Sequence, residues 1–194
     1  MAHNFITIVS GLPRSGTSLM MQMLAAGGAQ VLTDGQRTAD QHNPRGYFEL
    51  EAVKHTRSDL SWLAQAEGKA VKVVHLLLPN LPVDREYRVI FMQRDLIEVI
   101  ASQRTMLQLQ GRPGATLPDS KLAEIFGRQL VEVRQWLSQN HSFRVLQVQH
   151  RDVVKMPLAA ARQIAAFLGV NLDPQRMAAA VEPDLHRQRH KNPQ

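Results

Sequence analysis

Residues 6–18 read Ile-Thr-Ile-Val-Ser-Gly-Leu-Pro-Arg-Ser-Gly-Thr-Ser, and this stretch decides the fold. Its β-branched start predicts a buried strand, its two glycines predict a tight turn, and the apolar spacing that begins at Leu19 predicts a helix. Strand, glycine turn and helix in this order form an anion cradle, because backbone N–H groups converge there and the helix N-terminus adds partial positive charge. The stretch therefore predicts a phosphate-binding loop at the start of an α/β domain.

The spacing of the two glycines matches a P-loop, but one position differs. Four residues separate Gly11 from Gly16, and Thr17 follows where a nucleotide-hydrolysing P-loop has lysine. The cation of this loop stands earlier, at Arg14. The loop is therefore predicted to bind a phosphate group without the usual lysine.

Length and composition predict one globular domain over residues 1–194, with a polar tail expected to be flexible from about residue 183. The 194 residues are 44% hydrophobic and 21% charged, which is typical of a folded chain. No apolar run approaches the roughly 20 residues that span a bilayer, and the first residues lack a basic signal segment. We expect a cytoplasmic protein with no membrane partner. The absence of cysteine excludes disulfides, thiolate nucleophiles and zinc–thiolate sites.

The charge of the chain favours an anionic partner. The net charge is +6, from 23 Lys and Arg against 17 Asp and Glu. Most basic residues are scattered singly and aromatic residues make up only 5% of the chain, so no nucleic-acid partner is predicted. A small ligand with several phosphate groups is expected instead. His141, His150 and His186 show no metal-ligand spacing, so no metal site is predicted.

Strand and helix patterns alternate along the rest of the chain. Predicted strands cover residues 30–32, 70–76, 87–92 and 143–148, and predicted helices cover 49–67, 95–107, 122–137, 157–168 and a short segment from 173. The alternation predicts an α/β three-layer sandwich of the P-loop nucleotide-binding type, with a central, mainly parallel sheet. Ligands in such sheets bind beyond the carboxyl ends of the strands.

A second anion site is predicted where the strand at 87–92 ends. Arg94 follows that strand, and Ser102 lies about two turns into the next helix. The guanidinium offers a fork of donors and the hydroxyl adds another, which suits a second phosphate. The alternative is a surface ion pair of Arg94 with Asp95 or Glu98, with Ser102 as a small packing residue.

Together, the loop at 13–18 and the pair of Arg94 and Ser102 resemble the sulfotransferase family, as a short member of bacterial type. The donor of that family is 3′-phosphoadenosine 5′-phosphosulfate (PAPS), which has no β- and γ-phosphates for a metal to bridge. Positive charge is needed at the bridging oxygen between phosphorus and sulfur, and Arg14 is the candidate. The resemblance implies that Arg94 and Ser102 hold the 3′-phosphate, and that the 5′-phosphosulfate binds Pro13, Arg14, Ser15, Gly16, Thr17 and Ser18.

Two residues compete for the role of the base that takes the acceptor's proton. His75 resembles the histidine of the Lys-x-His base region of cytosolic small-molecule sulfotransferases, although the spacing from Lys72 is one residue longer. Glu49, which ends the segment 43–49, resembles the glutamate base of the carbohydrate and tyrosyl-protein branches. The alternatives are a core histidine and a carboxylate at a helix N-terminus. Glu49 is slightly favoured, and Lys72 is either a second cation for the bridging oxygen or a solvated lysine.

The acceptor is expected to be a small molecule or a carbohydrate that offers a hydroxyl or an amine. The loop at 33–48 and the break at 106–118, with Met106, Leu107 and Leu109, are the segments left to cover it. Two other functions stay open from the residues alone. One is a P-loop kinase of small metabolites, and the other is a non-catalytic module that binds an adenosine phosphate.

One part of the family pattern has no clear counterpart. The cytosolic branch has a late Arg-Lys-Gly segment that also grips the 3′-phosphate. The tail residues Arg187, Arg189 and Lys191 are either a substitute for it or a solvated basic tail.

Overall fold

A four-stranded parallel sheet in the order β2-β1-β3-β4 forms the centre of the protein. The computed structural model describes residues 4–37, 46–111, 114 and 116–181. The strands are β1 (Phe5–Gly11), β2 (Ala70–Lys72), β3 (Glu86–Gln93) and β4 (Phe143–Gln149). Because every pairing is parallel, all four carboxyl ends meet at one edge of the sheet. The predicted α/β class with a parallel sheet is confirmed.

Helices cover both faces of the sheet, as predicted for three layers. Successive side chains of β3 alternate between two hydrophobic clusters, with Ile90 in one and Val89 and Phe91 in the other. Helices α1, α7 and α8 pack in the first cluster, and α2, α3, a 3₁₀ helix and α5 pack in the second. The bounds are α1 (Thr17–Ala26), α2 (Glu51–Lys54), α3 (Leu63–Ala66), the 3₁₀ helix (His75–Asn80), α4 (Leu96–Leu109), α5 (Asp119–Gln139), α6 (His150–Lys155), α7 (Pro157–Leu168) and α8 (Pro174–Ala179).

Capping residues set the ends of several helices. The Asp95 carboxylate accepts from the backbone N–H groups of Ile97 and Glu98, at 2.9 and 3.2 Å, and so starts α4 directly behind β3. Gly169 has φ of 59° and ends α7, because glycine enters the left-handed region at little cost. No helix in the described ranges is both long and apolar enough to cross a bilayer.

The prediction of one helix over residues 49–67 is wrong. Only the four-residue helices α2 and α3 form there, with turns between them. Local side-chain bonds compete with the helix in this segment: the Asp59 carboxylate accepts from the Ser61 N–H at 2.8 Å, and the Trp62 indole donates to Thr56 Oγ1 at 3.2 Å.

Two further predictions differ from the structure, and one helix was not predicted. The strand predicted at 70–76 ends at Lys72, and His75 opens the 3₁₀ helix instead. The strand predicted at 30–32 is a single bridge between Val31 and Ala70. Helix α6 was not predicted, because its six residues are too few to show a helical period.

Candidate functional site

The β1–α1 turn is built around left-handed backbone. Gly11, Arg14 and Gly16 have φ of 147°, 74° and 101°. A Cβ on Gly16 would lie 2.5 Å from Cδ2 of His150, so side-chain packing as well as backbone conformation requires glycine there. The Ser15 N–H donates to the Leu12 carbonyl at 3.1 Å and closes the turn. The turn thus joins β1 directly to the N-terminus of α1, as an anion cradle requires.

A cavity of about 420 Å³ lies beyond the carboxyl ends of the strands, next to this turn. The structure brings most of the predicted site residues into its wall and leaves three outside. Ser15 is buried within the turn, Ser102 is buried on α4, and His75 is buried in the 3₁₀ helix. The predicted residues that line the cavity are Pro13, Arg14, Gly16, Thr17, Ser18, Glu49 and Arg94.

The two predicted anion sites are connected by direct contacts. Arg14 Nε donates to Ser102 Oγ at 3.0 Å, and Arg94 Nη1 donates to the Arg14 carbonyl at 3.3 Å. Arg94 Nε also contacts Glu98 at 2.9 Å, so the ion pair considered from the sequence forms. It is not a surface pair, because the Arg94 side chain is only 10% exposed and faces the cavity. Arg94 therefore lines the cavity while Glu98 orients it.

Lys72, at the end of β2, joins the turn to the segment before α2. Its Nζ donates to Ser18 Oγ at 3.1 Å and to the Tyr47 carbonyl at 3.0 Å, and it lies 3.4 Å from Glu49 Oε1. Burial lowers the pKa of Lys72, and the carboxylate of Glu49 opposes that shift. The structure therefore excludes a solvated lysine and places a buried cation against the wall of the cavity.

Arg37 and Tyr47 join the same cluster, and the sequence did not single them out. Arg37 Nη1 lies 2.8 Å from Glu49 Oε1, and its guanidinium carbon lies 3.5 Å from the centre of the Tyr47 ring. Glu49 thus contacts two cations, Arg37 and Lys72. Both new residues fall in the loop at 33–48, which was predicted to be functional as a whole. Residues 38–45 of that loop lie outside the described residues.

The two base candidates lie in different environments. Glu49 lines the cavity, and its side chain is 22% exposed. His75 is 2% exposed and does not line the cavity, and its Nε2 lies 3.2 Å from Gln129 Oε1 on α5. Burial lowers the pKa of His75, which favours the neutral ring. The position of His75 in the 3₁₀ helix, outside β2, accounts for its placement among core residues.

His150 is a third residue of the cavity that sequence reasoning missed. It follows β4 directly, opens α6, is 7% exposed, and lines the cavity beside Gly16. The signal available for it was its place at the carboxyl end of a parallel strand. In the described ranges, no three His, Cys, Asp or Glu side chains lie close enough to hold a metal ion. The tail residues Arg187, Arg189 and Lys191 lie outside the described residues.

Comparison with known proteins gives a family and a fold. The sequence model described as "Sulfotransferase domain" matches residues 6–186. The structure is similar to the sulfotransferase domain from the curacin biosynthetic pathway, with 17% identity, a TM-score of 0.56, and coverage of 100% of this chain and 94% of that one. It is also similar to the sulfotransferase domain from the Synechococcus PCC 7002 olefin synthase, with 22% identity, a TM-score of 0.56, and coverage of 98% and 84%.

A third similar structure contains ligands. It is retinol dehydratase in complex with androsterone and the inactive cofactor PAP, with 16% identity, a TM-score of 0.53, and coverage of 93% of this chain and 64% of that one. At these identities the solved structures show the shared fold. No curated protein sequence matches this chain.

Proposed function

This chain belongs to the sulfotransferase domain family, and we propose that it transfers a sulfuryl group from PAPS to a hydroxyl or amine of its acceptor. One observation carries the proposal. Three cations, Arg14, Lys72 and Arg94, converge on a single cavity at the glycine turn, and the family match covers all three. Convergent positive charge at a backbone cradle suits a donor with two separate anionic groups.

The residues of the cavity fit PAPS. The turn presents its backbone to the cavity at Gly16, where a side chain would collide with His150. Arg94, held by Glu98, faces the same cavity from the link between β3 and α4. We assign the turn to the 5′-phosphosulfate, and Arg94 with the neighbouring Ser102 to the 3′-phosphate. The PAP in retinol dehydratase, a protein of the same fold, supports this choice of nucleotide.

Arg14 and Lys72 are the electrostatic groups of the proposed reaction. When bound, PAPS supplies the sulfuryl group, and negative charge grows on the bridging oxygen as the sulfur leaves it. Arg14 reaches the cavity from the turn, and Lys72 reaches it from β2 beside Ser18. Fixed cations in a partly closed cavity stabilise such charge more than water does, because they need no reorientation during the reaction.

Glu49 is the base of the proposed reaction. It lines the cavity 3.4 Å from the Lys72 ammonium, so it lies beside the group assigned to the bridging oxygen. An acceptor hydroxyl bound beside Glu49 would give its proton to the carboxylate as its oxygen bonds to sulfur and the bond from sulfur to the bridging oxygen breaks. The location of His75 outside the cavity wall supports this choice between the two candidates.

The two alternative functions make different predictions about ligands. A small-metabolite kinase would bind magnesium-ATP, but Thr17 stands in the position of the P-loop lysine. A non-catalytic module would bind the nucleotide without turnover. The experiment is isothermal calorimetry of the full chain with 3′-phosphoadenosine 5′-phosphate (PAP) and with magnesium-ATP. We expect tighter binding of PAP without metal.

Two arginine variants show where the nucleotide binds. Arg94→Ala should weaken PAP binding by about 10- to 100-fold, the effect of losing a charged hydrogen bond. Arg85→Ala is the matched control, because Arg85 pairs with Asp84 and does not line the cavity. Tighter binding of magnesium-ATP would contradict the proposal. PAP binding with no release of PAP from PAPS, across a panel of alcohols and amines, would favour the non-catalytic module.

A further inference from the structure

The cavity has an apolar wall that begins at the two residues beside the proposed reacting oxygen. Glu49 is followed by Leu50 and Val53 on one side. Lys72 is followed by Val73, Val74 and Leu77 on the other, and all five of these apolar residues line the cavity. We use the term acceptor wall for Leu50, Val53, Val73, Val74 and Leu77. This wall is apolar surface that the rest of an acceptor can contact while its hydroxyl reaches Glu49.

The acceptor wall runs from the core to the surface. Val53 and Val73 are 5% and 0% exposed and belong to the hydrophobic cluster between the sheet and α5. Val74 is 38% exposed and forms the outer part of the wall. Met106, one helical turn beyond Ser102 on α4, adds another apolar side chain to the cavity. The apolar surface therefore continues outward from the proposed reaction centre.

Polar groups on this wall are few. Within segments 50–54 and 73–77, the only polar side chain that lines the cavity is Lys54, whose ammonium is paired with Glu51 at 2.6 Å. A sugar laid along these two segments would lose hydrogen bonds to water at several hydroxyls and would meet only the Lys54 ammonium there. An alkyl body would instead gain about fourfold in affinity for each buried methylene.

We infer that the acceptor of this chain is an alcohol with an apolar body rather than a carbohydrate. The inference rests on the proposed sulfuryl transfer, whose acceptor it specifies. It also separates two features of the site: the base candidate Glu49 resembles that of the carbohydrate branch, whereas the wall beside it suits an apolar molecule. The acceptor class is therefore inferred from the acceptor wall and not from the resemblance of Glu49.

The test compares two six-carbon alcohols that differ in their number of hydroxyls, 1-hexanol and sorbitol. Their binding to the PAP-saturated full chain is measured by saturation-transfer NMR, and their conversion is measured as release of PAP from PAPS. We expect 1-hexanol to bind at least 10-fold more tightly than sorbitol, because its chain buries methylenes on the wall.

Variants of Val74 test whether 1-hexanol binds at the acceptor wall. Val74 is partly exposed, so Val74→Asn changes the wall without disturbing the core, and it should weaken 1-hexanol binding about fivefold while PAP affinity stays unchanged. Val74→Ile should keep the binding. Val83→Asn is the matched control, because Val83 is 56% exposed and lies outside the cavity wall.

The two proposals can fail separately. Equal binding of sorbitol and 1-hexanol, or full 1-hexanol binding by Val74→Asn, would overturn the acceptor inference even if PAPS is turned over. Binding of 1-hexanol that depends on Val74, without PAP binding or turnover, would sustain the apolar site and count against sulfuryl transfer.

Discussion

Arg14 Nε donates to Ser102 Oγ at 3.0 Å, across 88 residues of sequence. The hydrogen bond joins the two motifs that the resemblance to sulfotransferases assigns to the 5′-phosphosulfate and to the 3′-phosphate of PAPS. Arg14 therefore does not point freely into the cavity but is held toward α4. The bond orients the guanidinium of Arg14, and donation from the Ser102 hydroxyl to an anion remains a proposal.

Replacing Ser102 tests its proposed role as a phosphate ligand. Ser102→Ala removes one donor to a charged group, so we expect PAP affinity to fall about tenfold in calorimetry. Ser138→Ala is the control, because Ser138 lies on the exposed side of α5 and donates to the Gln135 carbonyl. Unchanged PAP affinity would restrict Ser102 to the orientation of Arg14.

The glycine turn offers a pair of matched backbone substitutions. Gly16 and Gly28 have φ of 101° and 99°, but only Gly16 has a close neighbour, Cδ2 of His150 at 2.5 Å from the position of a Cβ. Gly28→Ala should cost about 1–2 kcal/mol of unfolding free energy from backbone strain alone. Gly16→Ala should cost about 1–3 kcal/mol more through overpacking and should abolish PAP binding. Equal losses in urea denaturation would show that His150 moves aside freely.

The assignment of Glu49 as the base predicts a loss of transfer rate without a loss of nucleotide affinity. Glu49→Gln keeps the shape of the side chain but cannot take a proton, so transfer should fall about 10²- to 10⁴-fold while PAP affinity changes little. The control is Glu51→Gln, because Glu51 pairs with Lys54 at the surface. Release of PAP from PAPS, in the presence of alcohols and amines, measures the rate. Wild-type turnover by Glu49→Gln would return the role to His75.

Burial of His75 predicts a dependence of stability on pH. Burial lowers the pKa of His75 from 6.5. Between the lowered pKa and 6.5, His75 therefore binds a proton in the unfolded chain but stays neutral in the folded chain. Above about pH 6.5, protonation of His75 does not reduce the free energy of unfolding. That free energy falls as pH drops below 6.5, and the decrease ends once pH is below the lowered pKa of His75. His75→Gln should flatten the slope of unfolding free energy against pH in this window. An identical slope in both proteins would exclude a buried neutral histidine.

The parts of the fold that are local in sequence were predictable. The β-branched run, the glycine turn and the following apolar spacing predicted β1 and α1, and the turn lies where that pattern placed it. The places of Arg94 behind β3 and of Ser102 in α4 were also predictable, because the end of a strand and the period of the following helix fix them. The prediction of one helix over residues 49–67 was wrong because side chains in this segment form local hydrogen bonds that favour turns. The spacing of apolar residues does not show such bonds.

The sequence by itself determined the glycine turn between β1 and α1, the parallel α/β class and the resemblance to sulfotransferases, since each is a pattern of neighbouring residues. Only the tertiary structure decided that Glu49 lines the cavity and His75 does not, because a strand that ends at Lys72 turns the following residues into a buried 3₁₀ helix. It also decided that Arg37 and His150 belong to the site. Such contacts depend on packing between segments that are distant in sequence, and the periodicity of one segment does not predict them.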